Sequence, residues 1–568
     1  VPFDQLDPEW VAAGDTRNWF AEDPLLDWLD LYGTNHGFQR DNEDPRYDPR
    51  LDMTTFIFAK GREFEKRVVE MIGHRCQLYR PSGDTREERA IDTQRLVNEQ
   101  VEGIYQGTLL DAENKVYGKP DLLVRSDILC KLCDCPPDKL GDAPHYRVID
   151  VKFSNVPLLV SGLIGSAKKK HIAQLYLYNR MLGAIQGYTP ERAYLIGRTY
   201  EQREERYENC LHMLAPAKMN DVELAQDVDS AIYWLRKVRN EGSEWGVLPE
   251  PANEWLRPHM GNDQDSPWRN AKKLIAEEIK EHTSLWQVGV RGRNIAIAKG
   301  IHGYDHPECC ADHFGLTGNK PKTLQRILDV QKPGAPAVLP NRIETDRENW
   351  HRKRDVEFYV DFETVNDMND RFDKLPHRGG QNLIYMIGCG HEEDGEWKFE
   401  CFICDRMTEP CEKEQIDKWI AHMMNTCVRL GGMDPHVFHW SPHEKVSLTT
   451  HFESARKRHP DNKWPEPTWY DFLNKVVRPE PVTVKGAYAF GLKAVANAMA
   501  KNDLIATNWG SSRIDGMGAM LGGWACDEEA EKRGCYMVDI DLMHEIREYN
   551  EVDCKVMWEA INYLRRHH

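Results

Sequence analysis

Tyr359-Val360-Asp361-Phe362-Glu363-Thr364 is a β-branched and aromatic run interrupted only by two carboxylates, spaced two residues apart. Such a run predicts a strand. Side chains alternate across a strand, so Asp361 and Glu363 share one face. Two acids side by side on an otherwise apolar strand cost stability unless something positive offsets them, and a divalent cation is the usual solution. The alternative is a solvated edge strand carrying ordinary surface acids. Any fold for this chain must accommodate that strand, and the rest of the sequence supplies candidate partners for it.

A chain of 568 residues exceeds what a single core supports, so two or three domains are expected. Residues 1–55 read as an irregular N-terminal segment rich in Trp, Asp and Pro. Residues 56–250 read as a mixed α/β domain. It opens with a helix whose stripe is Phe64, Val68, Met71 and Ile72, with Glu65 near the edge. Residues 251–332 read as a mainly helical spacer, 333–354 as a Pro/Gly-rich linker, and 355–568 as a second α/β domain.

No apolar run reaches the roughly 18 residues needed to span a bilayer, and the opening residues show no signal-peptide pattern. Fifteen cysteines scattered through a long chain do not resemble a secreted disulfide framework. An intracellular location, whether cytoplasmic, nucleoid or viral, is therefore expected. The net charge of −18 argues against indiscriminate phosphate binding but leaves room for local basic patches and bound metal.

The first candidate site lies in the run Tyr146-Arg147-Val148-Ile149-Asp150-Val151-Lys152-Phe153. Asp150 and Lys152 share a face, and an acid and an amine facing one pocket can hold a metal and orient a water beside it. Asp121 follows Pro120 at the start of an earlier strand, and Glu65, or alternatively Glu63, can reach in from the preceding helix. Downstream of Lys169 and Lys170, a basic helix start, Gln174 and Tyr178 stand four residues apart on one helical face. These residues, in this order, resemble the PD-(D/E)XK nuclease superfamily, specifically its RecB-like branch, over residues 55–200. The resemblance implies that Asp121 and Asp150 bind one or two Mg²⁺ or Mn²⁺ ions, with Glu65 contributing. It also implies that Lys152 positions or deprotonates the attacking water, and that Gln174 and Tyr178 contact a nucleic-acid strand.

Cys130, Cys133 and Cys135 form a Cys-x-x-Cys-x-Cys cluster between Asp121 and Asp150. Thiolates at this spacing can grip zinc or an iron–sulfur cluster, with Cys76 or His145 as a further ligand; the alternative is a surface insertion with reduced thiols. In the spacer, Arg291 and Arg293 flank a glycine. They lead either to a module that grips a nucleic-acid backbone or to a helical spacer with solvated charges.

Near the C-terminus, Tyr549 and Asp553 are four residues apart on one helical face. Together with Asp361-x-Glu363 they resemble the closing and opening motifs of DEDD exonucleases, whose fold is ribonuclease H-like. Where that family places an Asp at a helix start, this chain offers Glu444, in Phe438-His439-Trp440-Ser441-Pro442-His443-Glu444, or the competing Asp471. The resemblance implies a two-metal site of Asp361, Glu363, Glu444 and Asp553, with Tyr549 orienting the water.

The domain order resembles RecB-family nucleases that carry a C-terminal ribonuclease H-like domain. It implies a restriction-endonuclease-like domain followed by a ribonuclease H-like one, and a metal-dependent nuclease acting on DNA in preference to RNA. The C-terminal centre would be a 3′-5′ exonuclease and the N-terminal one a DNA endo- or exonuclease. The competing expectation is a nucleic-acid-binding or structural protein with degenerate nuclease folds, or a chain with only one active centre.

Overall fold

The computed structural model describes residues 9–135, 137, 144–441 and 447–568. The chain is a mixed α/β protein that divides into two compact units. The first comprises Val1–Glu43, Thr54–Glu278 and Asp367–Gly380, and the second Asp44–Met53, Ile279–Asn366 and Gln381–His568.

Helix α1 (Met53–Gly73), nearly all of it in the first unit, buries Phe64, Val68 and Ile72. Three residues of the expected stripe are buried, whereas Met71 and Glu65 are half-buried at its margin. The central sheet contains β1 (Leu78–Tyr79), β2 (Gly103–Tyr105), β3 (Leu122–Arg125), β4 (Tyr146–Leu158), β5 (Arg192–Gln202) and β6 (Ala215–Lys218), in the order β6-β5-β4-β3-β2-β1. A short strand, Glu205–Tyr207, pairs with β5 outside this path. β4 runs antiparallel to β3 and parallel to β5. Helix α2 (Lys169–Gln186) makes the crossover that a parallel pair requires. The β4–β5 register shifts between Lys152 and Asn155, immediately after the Asp-x-Lys pair.

The second unit is built on a five-stranded sheet. Its strands are β7 (Phe358–Val365), β8 (Leu383–Glu393), β9 (Glu396–Ile403), β10 (His436–His439) and β11 (Thr468–Asp471), ordered β9-β8-β7-β10-β11. β7, β8 and β9 are antiparallel neighbours, whereas β10 and β11 lie parallel to β7 on its other side. Helix α3 (Glu409–Leu430) packs Ile416, Trp419 and Met423 into the core containing Phe358, Val360 and Phe362 of β7. Three further helices, α4 (Leu492–Lys501), α5 (Gly516–Arg533) and α6 (Asp541–His567), follow the sheet. α6 contributes Met557, Ala560, Ile561 and Leu564 to a second core with Tyr359 and Phe438.

The middle of the chain differs from the sequence expectation. The spacer expected over 251–332 divides at Glu278 between the two units. Residues up to Glu278 are anchored by Lys272, whose fully buried ammonium lies 3.0 Å from Asp23 and 2.7 Å from Asp265. The same ammonium donates to the carbonyls of His259 and Asn262. Nor does the linker expected over 333–354 behave as one. Val338–Leu339 pairs with Thr483–Val484, and Val338, Ile343 and Trp350 are buried in the second unit's core. Proline and glycine set the local turns there, but the apolar residues between them determine where the segment packs.

Removing one partner of a buried ion network leaves uncompensated charge, at a cost of about 3–5 kcal/mol. Lys272→Met is thus expected to destabilise the first unit by about that amount, read from the urea unfolding transition. A loss below about 1 kcal/mol would show that water or other groups compensate for Asp23 and Asp265.

Candidate metal centres

β7 presents Asp361 and Glu363 on one face, as strand alternation requires, and α6 crosses that face with Asp553. Among the described residues, these are the one group of three or more Asp, Glu, His or Cys side chains whose ligand atoms all lie within 4.8 Å of one another. Asn550, one turn before Asp553, donates through Nδ2 to Asp361 Oδ2 and Glu363 Oε1, each at 3.2 Å. The close approach depends on Gly388, which pairs with Asp361 across β7–β8. A Cβ there would meet Asn550 Oδ1 at 1.7 Å. Trp509 Nε1 donates to Asp553 Oδ1 at 2.9 Å. Lys493, on α4, places its ammonium 5.3 Å from the Tyr549 ring centre and 5.5 Å from that of Trp509.

The electrostatics follow from crowding these acids in a buried place. Burial pushes the Asp361 carboxyl up to about 7. Glu363 is pushed well up by burial and then by the charges of Asp361 and Asp553; Asp553 is raised by burial and by Asp361. The Lys493 field and the bonds from Trp509 and Tyr549 oppose the rise at Asp553 only in part. Tyr549 is likewise pushed up by burial and by Asp553, so its phenol stays protonated at neutral pH. Among the described residues, buried Asn550 Oδ1 has no hydrogen-bond partner. Three hard oxygen ligands held together with an excess of negative charge fit a divalent cation of the Mg²⁺ or Mn²⁺ kind.

The fourth expected ligand, Glu444, lies outside the described residues. The competing Asp471 is engaged elsewhere, since its two oxygens accept from the Asn474 backbone N–H at 3.1 Å and side chain at 2.8 Å.

In the first unit, Asp121, Asp150 and Lys152 come together. Lys152 Nζ lies 2.6 Å from Asp150 Oδ2, and Asp121 Oδ2 accepts from the Val151 N–H at 2.7 Å. Burial and the neighbouring Asp150 push Asp121 well up. Burial opposes ionisation of Asp150 too, but the Lys152 ammonium and a hydrogen bond from Asp121 hold it below the usual carboxylate range. Lys152 in turn stays above its ordinary value, because the charges of Asp150 and Asp121 outweigh its burial. Glu65 is held by Tyr105 Oη at 3.2 Å and Gln106 Nε2 at 3.1 Å, and does not close into a tight trio with the two aspartates. Glu63 is exposed and paired with Lys60 at 3.9 Å, which leaves Glu65 as the inward acid of α1.

Other expected contacts are placed differently. Tyr178 is buried against Gly118, where a Cβ would meet its ring at 2.3 Å, and its hydroxyl accepts from Gln174 at 2.7 Å. The two residues therefore bond each other. Lys169 pairs with Asp227 at 2.6 Å, and Lys170 bonds Gln264. Arg291 is exposed, but Arg293 turns inward on the helix Val290–Ala298, is buried, and lies 3.6 Å from Glu281. Arg293 thus serves packing and does not grip a phosphate backbone.

The three cysteines do not gather. Cys130 bonds Asp127 O, Cys133 bonds Cys135 O, and Cys135 faces His212 at 3.7 Å. Cys76 bonds Gln77 O, and His145 stacks on Tyr188.

Sequence reasoning missed Asn550, Trp509, Tyr105 and Gln106. Asn550 was detectable as an amide one turn before Asp553, whereas Trp509 has no local pattern to mark it. Comparison with protein-family models, curated proteins and solved structures finds no match. The functional argument therefore rests on the geometry.

The folded chain holds protons on these carboxyls that the unfolded chain releases near pH 4. That stabilisation is fully present below about pH 4 and is lost as pH rises through the Asp361 value of about 7. In EDTA, the second unit should melt at a lower temperature at about pH 8 than at about pH 5. Mn²⁺ at a hundred times its Kd at about pH 8 should restore about 2.7 kcal/mol there, and the same concentration should give a smaller gain at about pH 5. Scanning calorimetry checks this; an equal Mn²⁺ gain in Asp361→Ala would place the ion elsewhere.

Proposed function

We propose that this chain is a divalent-metal-dependent nuclease, with a 3′-5′ exonuclease centre in the second unit and a DNA-cutting centre in the first. The observation that carries the reading is the convergence of Asp361, Glu363 and Asp553 beside the protonated phenol of Tyr549. The pair on β7 lies toward the carboxyl end of a strand where the sheet order switches sides, the usual location of a site in an open α/β sheet. Three antiparallel strands followed by two parallel ones on the other flank of β7 favour the ribonuclease H-like fold assignment.

Asp361, Glu363 and Asp553 would hold Mg²⁺ or Mn²⁺, which when bound supplies positive charge for a phosphoryl group and makes a coordinated water more acidic. Asn550 fixes the two β7 carboxylates relative to each other. Trp509 and Tyr549 both bond the Asp553 carboxyl and restrain it against β7. Tyr549 keeps its hydroxyl proton at neutral pH and can orient a water by hydrogen bonding.

In the first unit, Asp121 and Asp150 would be the metal-holding pair, with Glu65 beside them. Lys152 remains an ammonium at neutral pH, so its part is to orient water and stabilise charge, not to remove a proton. A narrower reading, with one active centre, is favoured by the looser placement of Glu65 relative to Asp121 and Asp150. No described helix is long and apolar enough to cross a membrane. All fifteen cysteines are free thiols, which supports an intracellular setting.

Single- and double-stranded DNA and RNA, labelled at the 5′ or 3′ end, test this in Mg²⁺ or Mn²⁺. Wild type is expected to remove 3′ labels, and Asp361→Ala to slow this by about 10²–10³-fold. Asp150→Ala should abolish whatever cleavage survives Asp361→Ala. The reading fails if wild type cuts nothing, or if neither substitution changes cleavage.

A further inference from the structure

Glu65 belongs to a hydrogen-bonded run that ends outside the acidic pair. Gln106 donates through Nε2 to Glu65 Oε1 at 3.1 Å and accepts through Oε1 from Arg80 at 3.0 Å. Its backbone N–H donates to Asp121 O at 2.8 Å. Gln106 adopts φ +54°, a left-handed conformation unusual for a residue other than glycine. A strained backbone persists where its surroundings over-determine it, and here three bonds tie Gln106 to Glu65, Asp121 and Arg80.

Arg80 is exposed, immediately after β1, and its guanidinium carbon lies 5.6 Å from the Tyr105 ring centre. Tyr105 itself donates to Glu65 at 3.2 Å. Arg80 is therefore held by a neutral amide and an aromatic face, and among the described residues it has no carboxylate partner. Arg89 and Lys119 are also exposed, and Lys119 lies within electrostatic reach of Arg80, Arg89, Glu65 and Asp121. A guanidinium has five N–H donors in a fixed fork that matches phosphate geometry. Cations beside a carboxylate cluster offset the repulsion that the acids exert on an approaching phosphate.

We propose that Arg80, flanked by Lys119 and Arg89, binds a backbone phosphate of a nucleic-acid strand at the first acidic site. Gln106 is the positioning residue that sets Arg80 and Glu65 in one geometry. This rests on the nuclease reading and adds to it the residues that hold the strand.

The test uses the full chain carrying Asp361→Ala, which silences the other centre. A fluorescein-labelled single-stranded DNA is titrated in EDTA over a KCl series, and Mn²⁺-dependent cleavage is followed separately. Arg80→Ala should weaken binding about tenfold and reduce the slope of log K against log salt by about one. Most of its loss in kcat/KM should fall in KM, and Arg80→Lys should recover part of the binding. Gln106→Leu should weaken binding and also lower kcat, because it releases Glu65 as well. An unchanged melting temperature in Arg80→Ala shows that folding is intact. Unchanged affinity and salt slope in Arg80→Ala, or a loss confined to kcat, overturns the proposal while the nuclease reading stands. If the Asp361→Ala parent neither binds nor cuts, nuclease activity at the first site falls, and the proposal with it.

Discussion

Like charge confined in a buried space is the constraint around which the second unit is organised. Asp361 and Glu363 are set on one face by strand geometry, and α6 brings Asp553 to the same place. Each carboxylate raises the cost of ionising its neighbours. The protein supplies an amide from Asn550, an indole N–H from Trp509 and the field of Lys493. None of these is a full countercharge in contact with the β7 pair. A fold that maintains such an arrangement forgoes stability that apolar residues would have provided, which is the usual sign that the site serves chemistry.

The first unit handles a related problem with different means. There the cation is built in: Lys152 neutralises Asp150 directly, while burial and Asp150 push Asp121 well up. A metal proposed for that site would have to compete with a resident ammonium, whereas one at β7 would replace protons. The two strands share one structural device. In each, the pairing register shifts just after the charged pair, between Lys152 and Asn155 in β4 and between Glu363 and Thr364 in β7. Irregularities of this kind end regular pairing and re-aim side chains beside functional sites.

Much of this was legible in the sequence because strand and helix periods place charges without reference to the rest of the fold. The sharing of faces by Asp361 with Glu363 and by Asp150 with Lys152, and the apolar stripe of α1, follow from spacing alone. The features that were not legible depend on distant partners. Pro/Gly content suggested a linker at 333–354, but composition could not reveal that Val338–Leu339 would find Thr483–Val484. Arg293 read as an exposed basic residue, yet helix Val290–Ala298 turns it toward Glu281. Close cysteine spacing permitted a metal knot without requiring one: Cys130 bonds Asp127 O, Cys133 bonds Cys135 O and Cys135 faces His212, and the three thiols form no ligand group. Asn550 escaped notice because an amide is not a typical metal ligand; its role is to hold the ligands.

The overall acidity of the chain therefore says little about what can approach its sites. At physiological ionic strength the Debye length is about 8 Å, so much of the −18 charge is screened from a phosphate at any one point. What such a phosphate feels is the local arrangement: the Arg80, Arg89 and Lys119 rim in the first unit, and the carboxylate trio in the second. On the proposed reading, the first unit would offer fixed cations to a polyanion, whereas the second has its acids in excess and would need a metal to reverse the sign of its field. If the proposed function holds, metal removal would act differently on the two units: the first would retain contact with a strand through fixed charge, while the second would lose the positive charge on which its proposed chemistry depends.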